Sequence, residues 1–169
     1  MNLNELLKKA FFQKWAIAHF NIATFEQLKA VVLAAKELNS PIMTGVSEGE
    51  REYLGLKQTV SLIKSFREET GLPIFLNADH SKSIESAKKA IDAGFDSIHI
   101  DLSKLPFEEN IKGTKEIVEY AKTKNPDIST EGELGYLRGE SKIQKEIIEI
   151  KKEDLTEPEK ALEFIEKTG

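Results

Sequence analysis

Cysteine is absent from this 169-residue chain. That excludes disulfide staples and thiolate metal sites, so any bound metal must be held by histidine and carboxylate ligands. It also suits a reducing cytoplasm, the expected location. A basic surplus is missing too. Lys and Arg number 24 against 29 Asp and Glu, a formal net charge of −5, and the lysines are scattered among glutamates, so the electrostatic footprint of a nucleic-acid binder is not there. No window approaches the roughly 20 apolar residues of a membrane span, and residues 1–9 lack the apolar stretch of a secretion signal. Neither membrane nor nucleic acid is an expected partner. Histidine is scarce, with three residues, at positions 19, 80 and 99.

What is present is enough for one domain with a real core, since 40% of the residues are hydrophobic. Asn2 or Asn4 can cap a short helix with Leu3, Leu6, Leu7 and Ala10 on one face, followed by Phe11 and Phe12, which should be buried. This helix reads as a lid. Ala16–Asn21 alternates as a strand, and Thr24 opens a helix with Phe25, Leu28, Val31, Val32, Ala35 and Leu38 facing inward. Ile42–Val46 reads as a second strand ending at Ser47, with 48–55 as a polar loop before a helix around Val60, Ile63 and Phe66.

A third apolar run, starting at Ile74, ends in Asp79-His80-Ser81, a carboxylate beside an imidazole, and Ser83 can cap the next helix. Ser97–Asp101 makes a fourth strand. Leu105-Pro106 starts a helix that Asn125-Pro126 ends, and 128–135 reads as a fifth strand poor in aliphatics. Residues 136–155 form a long charged connection. Thr156 and Glu159 have the form of a capping box opening a last helix through Ala161, Leu162 and Ile165.

Strands alternating with helices at this spacing pair in parallel through crossovers, so the fold class is α/β. Periodicity alone does not separate a doubly wound sheet from part of a (β/α)8 barrel. Polar residues at nearly every strand end (Asn21, Ser47, Asp79, His80, Asp101, Glu133) and the lack of a glycine-rich phosphate fingerprint after the first strand favour the barrel. A complete barrel usually takes about 250 residues. The expectation is therefore a partial TIM barrel of about five βα units with an N-terminal lid helix, and residues 1–169 as a single incomplete barrel domain.

Three motifs in order carry a resemblance: Leu76-Asn77-Ala78-Asp79-His80-Ser81, Ser97-Ile98-His99-Ile100-Asp101 leading to Leu105-Pro106-Phe107-Glu108-Glu109-Asn110, and Glu131-Gly132-Glu133-Leu134-Gly135. Together they resemble the N-terminal part of the class II, zinc-dependent fructose-bisphosphate aldolases. The resemblance implies reversible, metal-dependent cleavage of fructose 1,6-bisphosphate to dihydroxyacetone phosphate and glyceraldehyde 3-phosphate. It makes His80 one of three histidines on the zinc and Asp79 the acid/base at the C4 hydroxyl. Glu133 becomes a carboxylate that approaches the metal in an alternative position, and Asp101 a residue that orients a ligand or binds a cation beside the zinc. Asn21 and Ser47 become substrate contacts. His99 is read as packing, and His19 follows none of the ligand motifs.

The family's mobile loop after Glu133 supplies an acidic residue for proton exchange. Glu140 is the nearby acid here, although the usual Gly-Gly and the acidic run after it are absent. The remaining zinc histidines and the phosphate-binding loops implied by the resemblance are not in this sequence, so the 169 residues alone are expected to be inactive. Blander readings stay open: Asp79 and Asp101 as helix caps, Glu133 as a strand-end glutamate and Glu140 as a solvated loop charge. At the level of the chain, the alternatives are a non-catalytic half-barrel that pairs with a complementary chain or a second copy, and a tagatose-bisphosphate aldolase. A metal other than zinc is also open.

Overall fold

A computed structural model of the protein describes residues 1–135, 147 and 149–169. Five parallel strands lie side by side in chain order: β1 (Ala18–Asn21), β2 (Ile42–Val46), β3 (Ile74–Ser81), β4 (Ser97–Ile100) and β5 (Ser129–Gly132). A doubly wound sheet reverses its order at a switch point, whereas a (β/α) barrel adds each strand next to the last. The order β1-β2-β3-β4-β5 is thus that of a partial barrel. The connecting helices are α2 (Phe25–Leu38), α3 (Glu48–Leu54), α4 (Leu56–Thr70), α5 (Ile84–Ala93) and α6 (Phe107–Lys124). Flanking them are α1 (Leu3–Gln13) at the start and α7 (Pro158–Thr168) at the end. None of the described helices is long and apolar enough to cross a membrane.

Strand alternation divides the buried residues into two sets. Ile42, Val46, Ile74, Leu76, Ala78, Ile98 and Ile100 face outward into the main core. There they meet Leu28, Val32 and Ala35 of α2, Val60 and Ile63 of α4, Ala87, Ala90 and Ile91 of α5, and Ile117 and Ala121 of α6. Phe75, on the other face of β3, packs with Leu3 and Leu6 of α1 and with Ile17 and Met43. The N-terminal helix therefore covers the inner face at the N-terminal end of the strands, opposite the polar strand ends. Asn2 caps it in a box with Glu5, and the Asn2 side-chain amide also donates to Asp127 Oδ1 (2.8 Å), just before β5.

Above the Phe75 level, register sets Asn21, Gly45, Asn77, Ser97 and Ser129 in one row across the sheet. The inner face thus changes from apolar to polar within two residues along the strands.

Several local expectations are corrected. Phe11 and Phe12 are 68% and 76% exposed, because α1 turns only its Leu3/Leu6/Ala10 stripe to the sheet. Residues 48–54 are not a loop: Ser47 begins helix α3, its N–H donating to Glu50 Oε2 at 2.6 Å. The last helix starts one residue later than the Thr156 capping box implies, with Glu157 at the cap position and Pro158 first in the helix, since the Thr156 hydroxyl donates to the Leu134 carbonyl instead. α7 buries Phe164 and Thr168, while Leu162 and Ile165 are exposed. Phe25 and Leu38 of α2 are exposed too, Phe25 lying over Phe66 with ring centroids 6.1 Å apart. Glu140 and most of the charged connection lie outside the described residues.

Asn2→Ala removes both the cap and the tie to Asp127, so it should destabilise the fold by about 1 kcal/mol in urea unfolding, the usual cost of a lost N-cap. An unchanged midpoint would show that α1 is held by Leu3 and Leu6 alone.

Candidate active site

The polar residues of the inner face converge at the C-terminal ends of β3, β4 and β5. On a regular strand Asp79 and His80 would point to opposite faces. His80 instead has φ +46°, the left-handed region that a residue other than glycine seldom adopts. The pairing with β4 shifts between Ala78 and Ser81: Ala78 is opposite Ile98 and Ser81 opposite Ile100, one extra residue on β3. The bulge allows two consecutive side chains to reach the same group of residues.

His80 Nδ1 lies 3.0 Å from Asp101 Oδ2 and 3.4 Å from Glu133 Oε2. His99 Nε2 lies 3.0 Å from the same Glu133 oxygen, and His99 Nδ1 3.6 Å from Asp79 Oδ1. The two imidazole rings are 4.3 Å apart. Asp79 Oδ2 accepts a 2.7 Å hydrogen bond from the Asn21 amide of β1. Asp101 Oδ1 accepts from the Ser103 hydroxyl at 2.6 Å, and the Glu133 carbonyl accepts from the Asn110 amide of α6 at 2.8 Å. Asn21 and Ser103 thus hold the Asp79 and Asp101 carboxylates by the oxygens that do not face the histidines, and Asn110 holds the Glu133 backbone.

Electrostatics follow from the contacts. Asp79 is held down to about 2, chiefly by the facing His99 imidazole, with help from Asn21 and His80 against the opposing effect of burial. For His99, burial pushes the pKa down, but Asp79, Glu131 and Glu133 outweigh it and raise the net value. Asp101 is lowered: burial opposes ionisation, while Ser103 and His80 stabilise the charge. Asp79 and Asp101 are therefore both ionised at neutral pH.

Of the residues singled out from sequence, Asn21, Asp79, His80, Asp101 and Glu133 come together. Ser47 does not: it begins α3, and no hydrogen bond among the described residues joins it to the cluster. Glu140 is outside the described residues. His99, read as packing, lies between Asp79 and Glu133; its spacing of two residues from Asp101 on an alternating strand was the signal for that position. Arg51 was hidden in the supposed loop. It is 4% exposed and lies behind Asp79 and His80.

The donor set fits a divalent cation. His99 Nε2 and Glu133 Oε2 are buried and 3.0 Å apart, yet neither has an aligned hydrogen-bond partner. Asp79, His80 and His99 form one group of ligand atoms within 4.8 Å of one another, and His80, Asp101 and Glu133 another. Imidazole nitrogen with carboxylate oxygen is the donor mixture of zinc and neighbouring transition metals.

Fold and rim together define a (β/α)-barrel protein with a candidate divalent-metal centre. Comparison with known proteins narrows that class: the model of class II fructose-bisphosphate aldolases matches residues 1–169, and the chain belongs to that family. It is 41% identical over 143 residues to the fructose-bisphosphate aldolase of Geobacillus stearothermophilus, covering 83% of this chain and 49% of that protein. With the enzyme of the same name from Staphylococcus aureus (strain Mu50) it shares 36% identity over 172 aligned positions, covering 100% of this chain and 58% of the other. The crystal structure of the YdjI aldolase from Escherichia coli K12 superposes with a TM-score of 0.80 at 29% identity, over 99% of this chain and 57% of that one. The chain thus spans about half the length of the curated relatives it matches.

Gly45 is the space-maker of the site. A Cβ there would collide with His19 Nε2 and stand 2.8 Å from Asn21 Oδ1. Gly45→Ala should therefore displace Asn21 from Asp79 and cost about 1–3 kcal/mol in urea unfolding. Wild-type stability would mean that both side chains can move aside freely.

Proposed function

We propose that this chain carries the proton-transfer and part of the metal-binding machinery of a class II aldolase acting on fructose 1,6-bisphosphate, with residues 1–169 forming one incomplete barrel domain. The observation that carries the reading is the bulge at His80, which brings an ionised carboxylate and an imidazole, adjacent in sequence, to one side of the sheet. It is supported by family membership and by the names of the relatives.

In this reading His80 and Glu133 hold a zinc ion. Asp101 accepts the Nδ1–H of His80, which leaves Nε2 with its lone pair for the ion. When bound, such an ion would supply Lewis-acid stabilisation of the negative charge that develops as the carbon–carbon bond breaks. Asp79, fixed at Oδ2 by Asn21, takes the proton of the C4 hydroxyl; the C3–C4 bond breaks and its electron pair goes to the dihydroxyacetone phosphate fragment. The aldehyde leaves as glyceraldehyde 3-phosphate, and condensation returns the same proton. Ser47 contacts substrate and Glu140 exchanges a proton on the dihydroxyacetone phosphate carbon.

None of the five described strands contains Lys or Arg, and Asp79, Asp101, Glu131 and Glu133 lie at or near their ends. An acidic rim of this kind gives little affinity for a bisphosphate by itself. Among the described residues β1 and β5 are the unpaired edges of the sheet, and with Phe11, Phe12 and Phe20 exposed they support association with a complementary chain or a second copy.

Three outcomes are expected. Zn2+ binding to this chain, measured by competition with a chromophoric chelator, should weaken about 10-fold or more in His80→Ala. Within a complete barrel, Asp79→Asn should lower kcat for fructose 1,6-bisphosphate cleavage by roughly 10²–10⁴-fold while zinc affinity stays close to wild type. The 169 residues alone should show no EDTA-sensitive cleavage; metal-dependent turnover by them that disappears in Asp79→Ala would overturn that part of the reading.

A further inference from the structure

We propose that Arg51 is a positioning residue of the site: from behind the sheet, its guanidinium holds the residues on both sides of His80, Asp79 by its carbonyl and Ser81 by its hydroxyl, in the kink that turns Asp79 and His80 to the same side.

The side-chain order along β3 sets the problem. Ile74, Leu76 and Ala78 face outward and Phe75 inward. A regular continuation would put Asp79 inward and drive the His80 imidazole into the outer core. Instead, one extra residue enters the β3–β4 register and His80 adopts φ +46°. No glycine relieves this conformation, so neighbouring bonds must hold it.

Arg51 supplies them. Its Nη1 donates to the Asp79 carbonyl, in the peptide bond just before His80, at 3.0 Å, and to the Val46 carbonyl at the end of β2 at 2.8 Å. Its Nη2 donates to the hydroxyl of Ser81, just after His80, and to that of Ser86 in α5, each at 3.2 Å. One rigid fork thus ties together the ends of β2 and β3, the bulge and the first turn of α5. Lysine, with a single ammonium in place of a planar fork, cannot reproduce that set. Glu48 extends the brace, its Oε1 accepting from the Lys82 amide at 3.0 Å and lying 3.9 Å from Arg51 Nη2. Arg51 is 4% exposed and its hydrogen bonds go to two backbone carbonyls and two serine hydroxyls, so it acts through those residues and not by touching substrate.

The link to metal binding rests on the reading of His80 as a metal ligand. Two measurements separate it from the kink itself. The first is Zn2+ affinity, measured with Zn2+ alone. Arg51→Met should weaken it about tenfold, on the scale of lost supporting contacts to ligands, and Arg51→Lys by less. The second is a double-mutant cycle in urea. In a His80→Gly background, where glycine takes positive φ without strain, the midpoint loss caused by Arg51→Met should shrink to less than about half its value beside His80. Should Arg51→Met fail to fold, Arg51→Lys serves in the same cycle. An equal midpoint loss in both backgrounds overturns the proposal, as does zinc affinity unchanged by Arg51→Met but lost in His80→Ala. If His80→Ala also leaves zinc affinity unchanged, the metal reading falls and the unfolding cycle alone decides the role of Arg51.

Discussion

A parallel strand in a barrel must send alternate side chains to opposite faces, and the site depends on one break in that rule. The outward set on β3, Ile74, Leu76 and Ala78, is committed to the core under the helices. A strand obeying alternation to its end could present Asp79 or His80 at the inner rim, but not both. The bulge between Ala78 and Ser81, with His80 at φ +46°, releases the second side chain. Asp101, His99 and Glu133 then reach the pair from the ends of the next two strands.

The charges at this rim are unbalanced. Three carboxylates, Asp79, Asp101 and Glu133, stand around two imidazoles, and buried ionised groups are costly unless paired or bound to a cation. Part of the cost is offset within the protein, by Asn21 on Asp79 and Ser103 on Asp101. The remainder shows in His99 Nε2 and Glu133 Oε2, close together and without hydrogen-bond partners. A divalent ion bound there would satisfy both atoms at once. The same balance explains why the bottom of the inner face is apolar. Phe75, Met43 and Ile17 are covered by Leu3 and Leu6, so water is kept from the inner face at the end where no charge needs it.

Helices were legible where a single apolar stripe decided them. Thr24 and Ser83 mark caps that the structure places where local chemistry puts them. Misreadings came where two solutions were locally equal. Residues 48–55 are polar enough to be a loop, yet Glu48–Leu54 is a helix because Glu50 caps its start and Arg51 is buried beneath it. Phe11 and Phe12 are apolar enough for a core, but the single stripe by which α1 docks leaves them outside. Thr156 has a capping partner in sequence and a better one in space, the Leu134 carbonyl.

By itself the sequence determined the α/β class, the boundaries of most βα units, the family, and the position of Asp79-His80 at a strand end. Those follow from local periodicity, turn chemistry and motif order, which need no knowledge of what lies across the sheet. Only the tertiary structure decided that the strands follow barrel order, that His99 lies between Asp79 and Glu133 while Ser47 caps α3, and that the Arg51 guanidinium bonds to the residues on either side of His80. Each of these depends on contacts between residues 20 to 60 positions apart in the chain, such as Asn21 with Asp79 and His99 with Glu133. Register and burial bring such pairs together, and neither is written in the local sequence.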